Sequence, residues 1–115
     1  VSNRRGPASL QPLLDELGPR ARALPADEAA RWGEIVVLAT PWRAFEALPS
    51  PETVAGKVVI DAMNPYAAGG GLVDLRGSTS SEETAKRLPG ARIVKAFNTI
   101  FFRHLAEQGD TTRPE

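Results

Sequence analysis

Two adjacent arginines near the start of the sequence have the chemistry of an anion-binding site. Arg4 and Arg5 follow residues 1–3, which have the pattern of a strand end, and they precede Gly6-Pro7, which leads into a helix. A guanidinium group donates paired hydrogen bonds to a phosphate and keeps its positive charge at neutral pH. An isolated pair of arginines is often only a solvated surface feature. The position between a strand end and a helix favours a phosphate site instead.

Polar, proline and aromatic residues also follow three apolar runs of the sequence. The runs are EIVVLATP, GKVVIDAMNP and ARIVKAFN, and they are continuous rather than alternating, which is typical of strands buried on both faces of a parallel sheet. Ligands of such sheets bind outside the carboxyl ends of the strands, so a shared cleft is expected there, although Asn and Pro are also common in ordinary turns. The residues at these three ends are Thr40, Pro41, Trp42, Asn64, Pro65, Tyr66, Phe97, Asn98 and Thr99.

Helical segments are predicted between the apolar runs. Leucines at 10, 13, 14 and 17 form one apolar helix face, with Ser9 as the N-cap, and a weak extended piece is expected at 21–24. The other predicted helices are 27–32, 42–48, one that starts with a capping box of Ser80 and Glu83, and 99–108. Strands that alternate with helices predict an α/β fold with a doubly wound parallel sheet.

Four further side chains receive structural interpretations. Asp61 lies inside an apolar run, and it is predicted to anchor a neighbouring loop through backbone N–H groups rather than to act as a base. Lys95 could reach a phosphate or could simply be solvated at its strand end. Trp32 and Phe45 are expected to pack helices against the sheet.

The arginine pair predicts which nucleotide the sheet would prefer. In a dinucleotide-binding sheet the end of the second strand meets the adenosine ribose, where an acidic residue suits the 2′-hydroxyl of NAD and arginine suits the 2′-phosphate of NADP. The stretch SNRR contains no acid and two guanidinium groups. We therefore expect NADP(H) as the cofactor, bound beside Arg4 and Arg5.

Composition narrows the remaining classes of function. Fourteen basic and fourteen acidic residues leave no net charge, so a nucleic-acid or anionic-membrane partner is not expected. The longest apolar runs fall short of the roughly 18 residues of a membrane span, and a cytoplasmic protein is predicted. The absence of cysteine and the single His104 argue against disulfides, metal sites and His-based catalysis.

Five stretches resemble the NADPH-dependent coenzyme F420 reductase family: SNRRGPASL, VVLATPWRA, KVVIDAMNPY, GGGLVDLRGSTSSE and IVKAFNTIF. The resemblance implies a Rossmann-like fold and hydride transfer between NADPH and a deazaflavin, coenzyme F420, without an obligate catalytic side chain or metal. It also implies a set of cofactor-binding residues, namely Asn3, Arg4, Arg5, Thr40, Pro41, Trp42, Asn64, Pro65, Ala96 and Asn98. Residues 1–115 are then expected to be a partial NAD(P)-binding Rossmann domain.

The sequence departs from the family pattern in one important respect. Family members begin with a strand and a glycine-rich turn that holds the pyrophosphate, and Gly69-Gly70-Gly71 lacks that spacing. We expect an incomplete sheet, self-association that covers the gap, and an isolated chain that is inactive. Truncation, a mispredicted start and a gene remnant all fit. Another NAD(P)-dependent reductase of this fold, or a non-catalytic interaction module, are the alternative functions.

Overall fold

The computed structural model describes residues 1–107, and in it three short parallel strands form one sheet in sequence order. The strands are β1 (Ile35–Leu38), β2 (Val58–Asp61) and β3 (Arg92–Lys95). In the register, Leu38 pairs with Asp61 and Asp61 pairs with Lys95, so the three carboxyl ends lie at one edge of the sheet. The predicted α/β fold, an incomplete Rossmann-like doubly wound parallel sheet, is confirmed.

Helices and helical turns connect the strands. The α-helices are α1 (Gln11–Leu17), α2 (Ala26–Trp32), α3 (Pro51–Val54), α4 (Ser80–Arg87) and α5 (Phe102–Glu107), and the 3-10 helices are Pro7–Leu10 and Trp42–Ala47. The helix predicted at 99–108 is thus shorter at its start, and residue 108 lies outside the described residues. Within residues 1–107 there is no helix with the length and apolar character needed to cross a membrane.

Two helix caps predicted from the sequence are wrong. The capping box lies one residue earlier than expected, because Thr79 has the extended backbone of an N-cap and its hydroxyl accepts a hydrogen bond from the Glu82 N–H at 3.2 Å. The Glu82 carboxylate accepts in return from the Thr79 N–H at 2.7 Å. Ser9 does not cap α1, because its hydroxyl donates to the carbonyl oxygen of Gly6 at 2.7 Å.

The core lies between the sheet, α2, α3 and α4. Its fully buried members are Val54, Val59, Met63 and Leu88, and Phe45 packs against them as predicted. Trp32 does not pack in this way, because it is 72% exposed. The reason is helical geometry: Ala30 carries α2 into the core, and a residue two positions later lies on the opposite side of the helix.

Residues 1–3 and 21–24 pair with each other, although neither is long enough to form a strand element. The amino group of Val1 donates to the Arg22 carbonyl at 2.7 Å, and the Leu24 N–H donates to the Val1 carbonyl at 3.0 Å. Val1 thus bonds to the two residues that flank Ala23, and this is the hydrogen-bond pattern of two parallel strands. The strand end and the extended piece predicted from the sequence therefore lie side by side.

Candidate functional site

The turn that carries the two arginines is held by a small cluster of hydrogen bonds, and residues 3–9 are called the arginine turn below. The Asn3 side-chain oxygen accepts from the Arg5 N–H at 3.0 Å, and the Asn3 amide group donates to the Ser9 hydroxyl at 2.9 Å. Gly6 has a φ of 89°, a conformation that glycine adopts without strain, and it turns the chain into the following helix. The cluster fixes the backbone from which both arginine side chains extend.

The arginine side chains themselves are free to bind an anion. Arg4 and Arg5 are exposed, and within residues 1–107 neither side chain forms a hydrogen bond or a salt bridge with another residue. Two adjacent unpaired guanidinium groups create a local positive potential on a chain of zero net charge. The turn has the charge and the hydrogen-bond donors to bind a phosphate.

A cavity of about 400 Å³ lies at the carboxyl ends of β1 and β2. The residues around it and at the end of β3, namely 40–43, 62–66 and 96–98, are called the strand-end rim. Trp42 stacks on Phe45 with ring centroids 4.5 Å apart, which fixes the indole as an apolar wall of the cavity. The side chains that bring polar groups to this cavity are Thr40, Arg43, Asn64 and Tyr66.

Two asparagines join the ends of β2 and β3 within the rim. The Asn64 amide group donates to the Asn98 carbonyl at 3.1 Å, and the Asn98 amide group donates to the Asn64 side-chain oxygen at 3.5 Å. Phe97, just before Asn98, has a φ of 65°, which a bulky aromatic residue adopts only under constraint. The backbone turn at Phe97 accompanies the approach of Asn98 to Asn64.

A buried carboxylate positions the segment after β2. Asp61 is fully buried, and it accepts hydrogen bonds from the Met63 N–H and the Thr84 hydroxyl, each at 3.0 Å. The Lys95 ammonium lies 3.3 Å from the same carboxylate and also donates to the Met63 carbonyl. The predicted anchoring role of Asp61 is confirmed. Lys95 is not a purely solvated side chain, because it completes this ion pair, and its contact with a phosphate stays a prediction.

The structure brings most of the predicted site residues together at one edge of the sheet. Thr40 lines the rim cavity and also a second cavity of about 540 Å³, whose lining includes Arg4. Arg4 and Thr40 therefore line the same cavity, whereas Arg5 lines neither cavity. The side chain of Asn3 is directed into the turn, so its predicted contact with the cofactor stays a prediction. Ala96 lies at the end of β3, where its N–H donates to the Asp61 carbonyl at 3.3 Å.

Prolines at the rim have backbone roles in the structure. The Pro41 carbonyl accepts from the Ala44 N–H at 2.8 Å, and the Pro65 carbonyl accepts from the Val73 N–H at 2.7 Å. Arg43, which the sequence analysis did not select, is the one cationic residue at the rim cavity. The sequence signal that could have found Arg43 was its place directly after Trp42. Among the described residues, His, Asp and Glu form no group of three or more that could hold a metal ion.

Comparison with known proteins shows the family and the fold of this chain. A family profile described as NADP oxidoreductase, coenzyme F420-dependent, matches residues 1–65. A hypothetical protein from Sinorhizobium meliloti is similar over 96% of the chain, at 32% identity and a TM-score of 0.76, and the chain covers 54% of that protein. A candidate F420-dependent NADP-reductase from Arthrobacter sp. FB24 is similar over 72% of the chain, at 26% identity and a TM-score of 0.63, with 40% of it covered. The chain thus spans about half of these neighbours or less.

Proposed function

We propose that this chain, which belongs to the family of coenzyme F420-dependent NADP oxidoreductases, supplies the NADP-binding side of an enzyme that transfers hydride between NADP(H) and coenzyme F420. Residues 1–115 would be part of its NAD(P)-binding Rossmann domain. The observation that carries the proposal is the pair of exposed arginines, unpaired within residues 1–107, on a turn fixed by Asn3, with Arg4 lining the same cavity as Thr40 at the end of β1.

Arg4 and Arg5 would bind the 2′-phosphate of the adenosine ribose. A phosphate dianion accepts charge-assisted hydrogen bonds from guanidinium groups, each worth about 1.5–3 kcal/mol, and the 2′-hydroxyl of NAD offers no such charge. The residues present fit this group, because the turn holds no acidic residue and its two cations are not neutralised by a partner within residues 1–107. The arrangement supports a preference for NADP over NAD.

The strand-end rim would hold the nicotinamide half of the cofactor. The paired amides of Asn64 and Asn98 present hydrogen-bonding groups, and the Trp42 ring presents an apolar surface that excludes water. Coenzyme F420, when bound, supplies the deazaflavin that exchanges hydride directly with the nicotinamide. The role of this chain is to position the nicotinamide, which is consistent with a rim that offers amide, hydroxyl and aromatic groups.

A ligand fragment tests the arginine site without requiring catalysis. We expect adenosine 2′,5′-bisphosphate to shift NMR resonances of the arginine turn in the 115-residue chain more strongly than adenosine 5′-phosphate does. Arg5→Ala should weaken the bisphosphate by about tenfold or more and leave the monophosphate nearly unchanged. Arg92→Ala is the matched control, because Arg92 is an exposed arginine at the start of β3, away from the carboxyl ends. Equal losses for both ligands, or an equal loss in the control, would contradict the assignment.

A further inference from the structure

A short antiparallel hairpin extends from the strand-end rim after β2, and its tip contains three consecutive glycines. Its residues, 65–73, are called the glycine hairpin below. Two hydrogen bonds join its arms: the Ala67 N–H donates to the Gly71 carbonyl at 3.0 Å, and the Val73 N–H donates to the Pro65 carbonyl at 2.7 Å. These backbone bonds give the hairpin a shape of its own.

Tyr66 and Leu72 are opposite residues of the glycine hairpin. The two bonds flank them, so they form a non-hydrogen-bonded antiparallel pair, in which the side chains lie close together on one face. Tyr66 is 59% exposed and Leu72 is 71% exposed. Tyr66 lines the rim cavity, whereas Leu72 does not. The hairpin therefore carries an uncovered apolar pair at the border of the cavity.

The glycine hairpin is attached to the protein through its two ends. Within residues 1–107, every hydrogen bond made by residues 66–72 stays within residues 64–73. Before the hairpin the chain is fixed at Met63, whose N–H donates to the buried Asp61 carboxylate at 3.0 Å. After the hairpin it is fixed at Thr79, the N-cap of α4. The hairpin can therefore move as a unit without breaking the bonds that hold the sheet ends.

Two segments line the rim cavity from the ends of β1 and β2. Residues 40–43 follow β1, and the first arm of the glycine hairpin, residues 66–68, follows β2. The first segment is fixed, because the Trp42 ring stacks on Phe45 with centroids 4.5 Å apart. The hairpin arm is hydrogen-bonded only within its own segment. A ligand in the cavity thus meets one rigid apolar wall and one movable wall.

We propose that the glycine hairpin is a lid of the rim cavity, which turns about its two ends so that Tyr66 and Leu72 pack on the nicotinamide ring of bound NADP(H). The inference rests on the proposed function, which puts the nicotinamide in this cavity. Closure buries the two exposed side chains and removes water from the ring, and this gain offsets the ordering of the hairpin. Tyr66 and Leu72 are then positioning residues for hydride transfer, because the closed lid holds the ring against Trp42.

Thiol labelling of the 115-residue chain tests closure, because the sequence contains no cysteine and each introduced thiol is a single reporter. Ala68→Cys reports occupancy, since Ala68 lines the cavity, and Leu72→Cys reports closure, since Leu72 does not line it. We expect saturating NADP⁺ to slow maleimide labelling of both variants by about tenfold. Gly69→Cys, at the exposed tip, is the control whose labelling rate should not change. Adenosine 2′,5′-bisphosphate, which lacks the nicotinamide, should protect none of the three thiols.

The outcomes separate the lid from the proposed function. Protection of Ala68→Cys without protection of Leu72→Cys would mean that the ligand fills the cavity while the hairpin stays open, and the lid alone would be wrong. If NADP⁺ protects neither thiol, the nicotinamide does not lie in the rim, and that part of the proposed function is wrong together with the lid. Equal protection of Gly69→Cys would mean that the whole hairpin becomes buried rather than one face of it, which would also contradict the lid.

Truncation of Leu72 then measures the contribution of closure to binding. Because Leu72 contacts the ligand only in the closed state, Leu72→Ala should weaken NADP⁺ by roughly threefold to fivefold in calorimetry and leave adenosine 2′,5′-bisphosphate unchanged. Leu17→Ala is the matched control, since Leu17 is an exposed leucine at the end of α1. Tyr66→Phe should keep the affinity for NADP⁺ and Tyr66→Ala should lower it, because the ring supplies the covering surface. An unchanged affinity in Leu72→Ala would overturn the proposal.

Discussion

The strand-end rim and the arginine turn border one cavity through Thr40 and Arg4, but the two regions are built very differently. The rim is fixed from below by Asp61, which is fully buried and bound by Thr84, Met63 and Lys95. The arginine turn is exposed, and its contacts are hydrogen bonds among residues 3–9. A buried network holds one geometry because every alternative leaves a polar group unpaired, whereas a surface turn is held by a few bonds that water can replace.

The difference assigns separate tasks to the two regions. The rim is preorganised, so a ligand that binds there gains affinity without first ordering the protein. The arginine turn follows residues 1–3, which are hydrogen-bonded to residues 22 and 24 and line the cavity of about 540 Å³ together with β1.

Removal of Lys95 should have the largest effect on stability. Lys95→Met keeps the length of the side chain but leaves the buried Asp61 carboxylate without its cation, which is expected to lower the free energy of unfolding by about 3 kcal/mol. Urea denaturation followed by circular dichroism measures it. Lys86→Met is the control, because Lys86 pairs with Glu83 on the exposed face of α4 and little or no change is expected. Similar losses in the two variants would show that the rim has no special buried support.

One substitution made in both regions measures the contrast in packing. Val59→Ala removes two buried carbons from the core and should lower the free energy of unfolding by about 2 kcal/mol. Val37 lines the cavity of about 540 Å³, and more than half of its side chain is exposed. Val37→Ala should therefore lower the free energy of unfolding by well under about 1 kcal/mol. Thermal and urea unfolding of the pair give the comparison. Equal losses of stability in the two variants would mean that the Val37 side chain is covered in solution.

Asp27 joins α2 to the residue before α3. Its carboxylate accepts from the Ser50 N–H and hydroxyl, both at 2.8 Å, and these bonds hold the pKa of Asp27 below its usual value. Because the folded-state pKa is lowered, the stabilisation is present at neutral pH and is lost as the pH falls from about 4 through that lower value. Asp27→Asn should cost about 1 kcal/mol at neutral pH and less in acid. A cost in urea denaturation that is the same at pH 7 and pH 3 would contradict this origin.

The strands were predictable because three continuous apolar runs have few interpretations other than buried parallel strands. The shared position of Asn64 and Asn98 followed from the same rule, since carboxyl ends of parallel strands meet at one edge. The Asp61–Lys95 pair was not predictable, because the register between two strands is set by packing of the whole sheet and does not appear in either segment alone.

The helix start was misplaced because two pairs of residues in the sequence have the spacing of a capping box. Thr79 with Glu82 and Ser80 with Glu83 satisfy the capping-box pattern equally, and the backbone at Thr79 decides between them. Trp32 was expected to pack its helix against the sheet by its position in the chain, but its place relative to Ala30 leaves it exposed at the cavity of about 540 Å³. The cofactor contacts of the arginine turn and the rim stay predictions, to be tested by the ligand titrations.

The smallest effect concerns the arginine turn itself. The Ser9 hydroxyl donates to the Gly6 carbonyl at 2.7 Å and contacts the Asn3 side chain at 2.9 and 3.1 Å, so Ser9→Ala removes the connection that closes the turn. Because these groups are only partly buried and water can replace the hydroxyl, the free energy of unfolding should fall by about 0.5 kcal/mol. The affinity for adenosine 2′,5′-bisphosphate should fall by roughly two- to threefold, since the arginines keep their charge but lose part of their fixed geometry. Ser78→Ala, with hydroxyl contacts of 3.4 and 3.5 Å, should change neither quantity. A tenfold loss of affinity in Ser9→Ala would instead mean that the turn is as rigidly preorganised as the rim, and the contrast between the two regions would be wrong.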